Sequence, residues 1–305
     1  MGKPALQIQF EYLLVRLLLA IFRSLPLPAG LRLGPALGLL AYRFSSRLRR
    51  TGERNLRLAF PDLSEQRRDD LLRGCFRNFG RLLAVFSHFS TSDLEKLKSF
   101  IVCEGLERIE AACANGMGVI LFTGHLGAWE LTSFALSIFG QPLSFLVRRI
   151  DNPKIEALVD RARTRRGNRT IDKRAAAREM LQTLQAGKPL GILVDLNTNE
   201  REGIFVDFFG IPASTTFTLA KLAARTGAQV LPIFAPWDEK QRRFLVKIDE
   251  PLSVSRTGDE TRDVQELTQK FTTVIEKYVR TYPDQWLWIH RRWKTRPPGQ
   301  PEIYN

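Results

Sequence analysis

Between residues 100 and 250, short apolar runs alternate with stretches of helical spacing. Phe100–Cys103, Val119–Thr123, Leu143–Val147, Leu190–Asp195, Val230–Ala235 and Phe244–Ile248 are brief runs of β-branched, aromatic or leucine residues, and each reads as a strand. Residues 105–115, 126–139, 153–166, 173–186, 213–226 and 261–281 carry apolar positions three and four apart and read as helices. Such alternation predicts an α/β fold, a sheet with helices on its faces. Upstream, Ser64 to about Ser90 reads as one or two helices with Ser64 as N-cap. No internal repeat, low-complexity segment or long linker interrupts the pattern.

The N-terminus follows a different rule. Residues 5–22 are mostly apolar, but Glu11 and Arg16 interrupt them. A charge at the bilayer centre costs roughly 2.5–3.5 kcal/mol, against about 0.3–0.6 gained per Leu, Ile, Phe or Val. The terms nearly cancel, so a crossing helix and one lying in the interface are both open, with a core helix as the alternative. A second apolar stretch, Leu31–Phe44, contains Gly34, Pro35 and Gly38 and runs into Arg43, Arg47, Arg49, Arg50, Arg54 and Arg57. Only Lys3 precedes the apolar region. Arginines crowded on the C-terminal side predict that the bulk of the chain stays on the cytoplasmic face. We therefore expect a membrane anchor region at 1–45 and an α/β domain at 46–305.

Charge sharpens this picture. Over 305 residues, 46 basic against 32 acidic side chains give a net charge of +14 and a pI near 10.1. Such a surface favours a polyanionic partner: anionic membrane, phosphorylated lipid or nucleic acid. Cys75, Cys103 and Cys113 are odd in number and show no CxxC spacing, so neither a disulfide framework nor a metal site is expected. P-loop, GxSxG and dinucleotide fingerprints are absent, and no cofactor is expected.

Candidate chemistry centres on residues 117–130, Met-Gly-Val-Ile-Leu-Phe-Thr-Gly-His-Leu-Gly-Ala-Trp-Glu. The apolar strand ends at Gly124, His125 stands at its exit, and a helix follows. Loops at the carboxyl ends of strands face the crevice of an α/β sheet. Glu130 falls on the helix, within reach of the imidazole, and a carboxylate on one ring nitrogen leaves the other free to take a proton. The bland alternative is a core histidine beside a glutamate that caps its helix. Asp195 closes the run Gly191-Ile-Leu-Val-Asp, which puts it on the same sheet edge as His125 if the strands are parallel; a cap or salt bridge is its plainer use. Residues 148–178 hold eleven basic residues, Arg174 among them, against four acids. Arginine grips phosphate bidentately, so one or two of them are candidates for an anionic substrate. Phe205-Val-Asp-Phe-Phe-Gly-Ile-Pro-Ala either lines an apolar channel or fills core. Trp286, Trp288 and Trp293, set among Arg291, Arg292, Lys294 and Arg296, suit a membrane or nucleic-acid surface, or core packing.

Taken in order, these pieces resemble the late acyltransferases of lipid A biosynthesis, the lauroyl and myristoyl transferases. The likeness rests on Thr123-Gly-His-Leu-Gly-Ala-Trp-Glu130, a His-x4-acid motif, then Arg149-x-x-Asn152-Pro153 and the arginines after it. It continues through Asp195, Phe208-Phe-Gly-Ile-Pro-Ala213 with Thr215 and Thr216, and the tail from Pro283 to Lys294. The chain departs at Asp195-Leu196-Asn197, where many relatives carry a polar residue after the aspartate. The resemblance implies a glycerolipid-acyltransferase-like fold, with a central mixed, mostly parallel sheet, and an N-terminal membrane-associated helix. It implies His125 and Glu130 as catalytic pair, with Arg149, Asn152, Arg163 and Asp195 as substrate contacts. Arg161 and Arg166 compete with Arg163 for the functional arginine. Also implied are acyl carrier protein as donor, with coenzyme A as alternative, and an anionic glycolipid acceptor at the inner membrane. Direct transfer would use backbone N–H groups near Gly124–Gly127 and an arginine for the oxyanion. The runners-up are an acyltransferase for a glycerophospholipid, aminolipid or mannosylated lipid, and a basic binder without catalysis. Nucleic acid is not an expected partner.

Overall fold

The computed structural model describes residues 3–89, 94–114, 116, 118–173 and 176–304. Four helices come first: α1 (Ala5–Ser24), α2 (Leu27–Phe44), α3 (Ser46–Ala59) and α4 (Glu65–Ser87). Ser64 caps α4 as expected, its hydroxyl accepting from the Arg67 N–H at 3.2 Å. Gly34, Gly38 and Gly80 explain how closely α2 lies on α4. A methyl group at Gly34 would come within 2.2 Å of the Gly80 carbonyl oxygen, and one at Gly38 within 2.0 Å of that of Phe76. Here glycine is needed for contact between backbones.

Beyond the short α5 (Leu94–Lys98) the chain alternates. It runs β1 (Ile101–Glu104), α6 (Leu106–Ala114), β2 (Val119–Thr123), α7 (Trp129–Ile138), β3 (Ser144–Val147), α8 (Pro153–Thr164), β4 (Arg169–Asp172), α9 (Ala176–Gln185) and β5 (Pro189–Leu193). A hairpin follows, β6 (Gly203–Phe208) and β7 (Ile211–Thr216), then α10 (Thr218–Thr226), β8 (Gln229–Phe234), β9 (Trp237–Asp238), β10 (Arg243–Ile248) and α11 (Glu260–Thr281). Each of the six expected strands is present. The main sheet has the order β1-β10-β8-β2-β5-β3-β4, with β9 on β10. All neighbours run parallel except β10 with β8 and with β9. The fold is therefore α/β with a mixed, mostly parallel sheet flanked by helices.

Strand β2 shows why continuous apolar runs marked the strands: all five of its residues are buried. Ile120 and Phe122 pack into one core with α3, α10, α11 and the C-terminal tail, while Val119 and Leu121 pack into the other with α6 and α7. A strand covered on both faces has no polar side to alternate with. The tail's tryptophans belong to the first core. Trp286, Trp288 and Trp293 are fully buried, so packing explains these tryptophans. Arg292 is buried with them, donating to the carbonyls of Leu196 and Ser214 and to the Thr215 hydroxyl.

Two expectations about elements need correcting. Residues 213–226 were expected to form one helix, but Ile211–Thr216 is the second strand of the hairpin and the helix starts at Thr218. Phe208 of that hairpin is core, against Trp286 and Trp293. The helix after β2 starts at Trp129 rather than at residue 126.

Candidate active site

Strands β2 and β5 run parallel and end side by side, with Thr123 opposite Leu193. This places His125 and Asp195, each two residues beyond a strand end, on one sheet edge, as their positions predicted. Asp195 Oδ1 lies 2.7 Å from His125 Nδ1, and Asp195 Oδ2 accepts the His125 backbone N–H at 2.7 Å. Trp286 Nε1 donates to the same Oδ2 at 2.8 Å. Gly124 makes this approach possible, because a Cβ there would sit 2.9 Å from Asp195 Oδ2. Burial alone raises the carboxyl's pKa, but the charge of His125 and the bonds from His125 and Trp286 outweigh it and hold the group down to about 2. An ionised Asp195 fixes the imidazole with its proton on Nδ1, leaving Nε2 basic for the cavity that His125 lines.

The carboxylate on the imidazole is thus Asp195, 70 residues away, where Glu130 was expected. Glu130 instead grips Arg163 in a two-pronged pair, Nε to Oε2 at 2.9 Å and Nη2 to Oε1 at 2.5 Å. Burial pulls the Arg163 guanidinium down, and Glu130 more than offsets it, leaving it raised. The exchange follows from backbone geometry. Gly127 adopts φ 62°, and a Cβ there would meet the Ala235 carbonyl oxygen at 2.2 Å. The chain turns at the end of β8 before α7 begins, so Glu130 falls in the first turn of α7 and meets α8.

The loop's own N–H groups are spoken for. His125 donates to Asp195, Leu126 to Gly124, Gly127 to Gln285 and Ala128 to Ala235. Of the N–H groups near Gly124–Gly127 expected to serve an oxyanion, those of residues 125–127 are therefore already bonded to other protein groups. Buried Asn78 of α4 adds bonds to the carbonyls of Gly127 and Gln285, and the Leu287 N–H donates to the His125 carbonyl. The tail and α4 hold the histidine loop rigid.

Asp195 sits just behind a cavity of about 410 Å³ that also takes in Glu130 and Arg163. Buried Leu121, Leu136, Leu143 and Ile233 line it together with exposed Arg148 and Lys173. A mainly apolar pocket with a few convergent polar groups is the usual form of a small-molecule site. Among the described residues, no His, Cys, Asp and Glu cluster is arranged to hold a metal ion.

Other expected contacts lie elsewhere. Arg149 is exposed and pairs with Asp172 at 2.8 Å; its neighbour Arg148 lines the cavity instead. Asn152 is buried and fully engaged. Its Oδ1 accepts from the N–H groups of Lys154 and Ile155, capping α8, and its Nδ2 donates to Ile8 O and Glu11 Oε2 of α1. No polar atom of that side chain is left for substrate. Arg161 is exposed on another face of α8, and Arg166 lies over the Phe134 ring at 5.7 Å. Arg174 falls outside the described residues. Trp286 and His290 did not stand out in the sequence as site residues. His290 lines the cavity and its Nε2 accepts the Asn197 N–H at 3.1 Å; burial lowers its pKa to about 4. The signal available was their place in a tail dense with aromatic and basic residues.

Known proteins align over most of the chain. It is 29% identical over 281 residues to the lipid A biosynthesis lauroyltransferase of Escherichia coli, covering 92% of this chain and 90% of that protein. It is 25% identical over 266 residues to the E. coli lipid A biosynthesis myristoyltransferase, covering 86% and 81% respectively. The E. coli lipid A biosynthesis palmitoleoyltransferase is 26% identical over 282 residues, covering 92% and 90%. With the family model for bacterial lipid A biosynthesis acyltransferases matching residues 2–295, the chain belongs to that family of acyltransferases.

Proposed function

We propose that this acyltransferase moves a fatty acyl chain from a thioester, carried on acyl carrier protein, to a hydroxyl of an anionic, lipid A-type glycolipid. The observation that carries the reading is the ionised Asp195 on Nδ1 of a histidine that lines an apolar cavity. His125 Nε2 takes the acceptor hydroxyl proton as the oxygen attacks the thioester carbonyl. Asp195 stabilises the resulting imidazolium. The Nη1 end of Arg163, not used in its fork to Glu130, offsets charge on the tetrahedral oxyanion. The intermediate then collapses, the C–S bond breaks, and the thiolate takes the proton back from His125. Apolar side chains deep in the cavity hold the acyl tail. The +14 charge suits both an acidic carrier protein and a phosphorylated lipid.

The membrane contact is assigned to residues 1–45. Leu6, Phe10, Leu13, Leu14, Leu17 and Ile21 are exposed along one face of α1, and Leu33, Leu40 and Phe44 are exposed on α2. At about 1.5 Å per residue, α1 is long enough to cross a hydrocarbon core. Its bonds to Asn152, however, tie it to α8, which carries Lys154, Glu156, Asp160, Arg161 and Arg163. A crossing α1 would draw those charges into hydrocarbon, so we place α1 flat in the interface at the cytoplasmic face of the inner membrane.

The test is the initial rate with an acyl thioester and excess lipid acceptor, normalised to folded protein. His125→Ala should lower turnover by roughly 10²–10⁴, the usual worth of a positioned general base. Asp195→Asn should come close to the same loss, because the amide no longer stabilises the imidazolium. Rates near wild type in either variant would overturn this mechanism.

A further inference from the structure

A second cavity, of about 320 Å³, lies between α1 and α8. Four arginines line it: Arg16 and Arg23 from α1, Arg161 from α8 and Arg165 at its C-cap. The pairs are seven and four residues apart, so each pair projects from one face of its helix. Leu19, Phe86 and Leu158 supply apolar walls, and none of the described lining residues is acidic. Elsewhere, Arg73 is paired with Asp69, Arg108 with Glu250 and Arg280 with Glu276. Among the described residues, Arg16, Arg23, Arg161 and Arg165 form no ion pair; Arg161 only turns its Nε to the Ala157 carbonyl. Four like charges gathered without a counterion repel one another, and they are stable together only beside water and mobile anions or around a bound anion.

We propose that this basin binds a phosphate group carried on a membrane lipid. Its position favours a lipid over a soluble anion. The exposed apolar strip of α1 includes Leu13, Leu14, Leu17 and Ile21. Arg16 and Arg23 lie roughly 115° and 135° around the helix from the centre of that strip, by the 3.6-residue turn. With the strip in hydrocarbon, these guanidiniums stand at headgroup level, where anionic phosphate is concentrated. Guanidinium forks match phosphate oxygens, and the apolar walls accept the carbon skeleton beside them. The phosphate belongs either to the glycolipid acceptor or to a surrounding phospholipid; the first rests on the acyltransferase reading and the second does not.

The experiment uses the full chain with Arg16, Arg23, Arg161 and Arg165 all changed to Gln. A control with Arg201→Gln, Arg225→Gln, Arg243→Gln and Arg256→Gln removes the same charge from exposed positions elsewhere. Melting temperature establishes that both variants fold, and a lighter Arg23→Gln/Arg165→Gln variant stands in if the first does not. Binding is read on phosphatidylcholine vesicles with and without phosphatidylglycerol. Turnover is read on an acylated glucosamine acceptor with and without its phosphates. If phospholipid is the ligand, the basin variant loses its preference for phosphatidylglycerol by about tenfold or more beyond the control, the worth of one lost charge-assisted bond or more. If the acceptor's phosphate is the ligand, KM rises by a similar factor for the phosphorylated acceptor alone, with kcat unchanged. A basin variant indistinguishable from the control in both measurements overturns the site. The vesicle arm needs no turnover, so a failure of the acyltransferase reading stays separate from a failure of this one.

Discussion

Helix α8 carries arginines on two faces that meet opposite fates. Arg163 turns inward, is largely buried, and is neutralised by the two-pronged grip of Glu130. Arg161 and Arg165 turn outward beside Arg16 and Arg23 and have no carboxylate in their basin. The same side chain is thus enclosed and paired on one side of α8 and open to solvent on the other. What separates them is water. A guanidinium taken out of solvent must be paired, whereas one at the surface can wait for its partner. The inward site is built for geometry and the outward one for capture.

Removing charge from each side separates these two fates most strongly. Glu130→Gln strands Arg163 without its counter-charge and should cost about 3 kcal/mol of stability together with most of the turnover. Glu130→Gln/Arg163→Gln should recover much of the stability and remain inactive. Recovery of turnover as well would show that the pair is scaffolding only. Arg163→Lys should resemble Arg163→Ala in rate, since an ammonium cannot reproduce the fork. On the outer face, Arg165→Gln should leave the melting temperature unchanged or raise it in detergent, because it removes only repulsion.

A comparable effect is expected in the pH dependence of stability. His290 faces the inner cavity, and burial lowers its pKa from 6.5 to about 4. Between those values the unfolded chain takes up a proton that the folded chain refuses, so stability falls as pH drops from about 6.5 to about 4. The shift corresponds to about 3 kcal/mol over the window. In melting curves across that range, His290→Gln should decline less steeply than wild type. Parallel declines would mean that the cavity around His290 is wet and the contrast between the two faces is weaker than drawn.

The smallest effect concerns the joint that lets α1 contribute to the outer basin. Asn152→Asp keeps the cap on α8 but loses both donors to α1 and sets a second carboxylate beside Glu11. Stability should fall by about 1 kcal/mol, while amide exchange over residues 5–24 rises clearly. Unchanged exchange there would mean that other contacts hold α1, and that Asn152 acts only as a cap.

The sequence alone was enough to locate most of the sheet. Strands with both faces buried, such as β2, must be continuous apolar runs, and β1, β3, β5, β8 and β10 were legible as short apolar runs as well. Strand β4, Arg169-Thr-Ile-Asp at the sheet edge, needs few apolar residues and was not recognised. The hairpin's second strand was taken for the start of a helix because Ala213, Ser214, Thr215 and Thr216 carry no strong period of either kind. His125, Glu130, Arg163 and Asp195 were all singled out from the sequence, and all four gather at one cavity or against it. Their partners were not. Spacing suggests that a histidine and a glutamate five residues apart should meet, but proximity along the chain is a local argument. The ends of two parallel strands lie about 4.8 Å apart however many residues separate them, and the turn at Gly127 commits Glu130 to α8. Which carboxylate holds the imidazole was therefore decided by strand order and a single left-handed glycine. Tertiary structure likewise decided that Asn152 joins two helices, and that the tail tryptophans are core with one indole on Asp195. Side-chain chemistry can be read residue by residue, but a hydrogen bond belongs to two residues, and only the fold says which two.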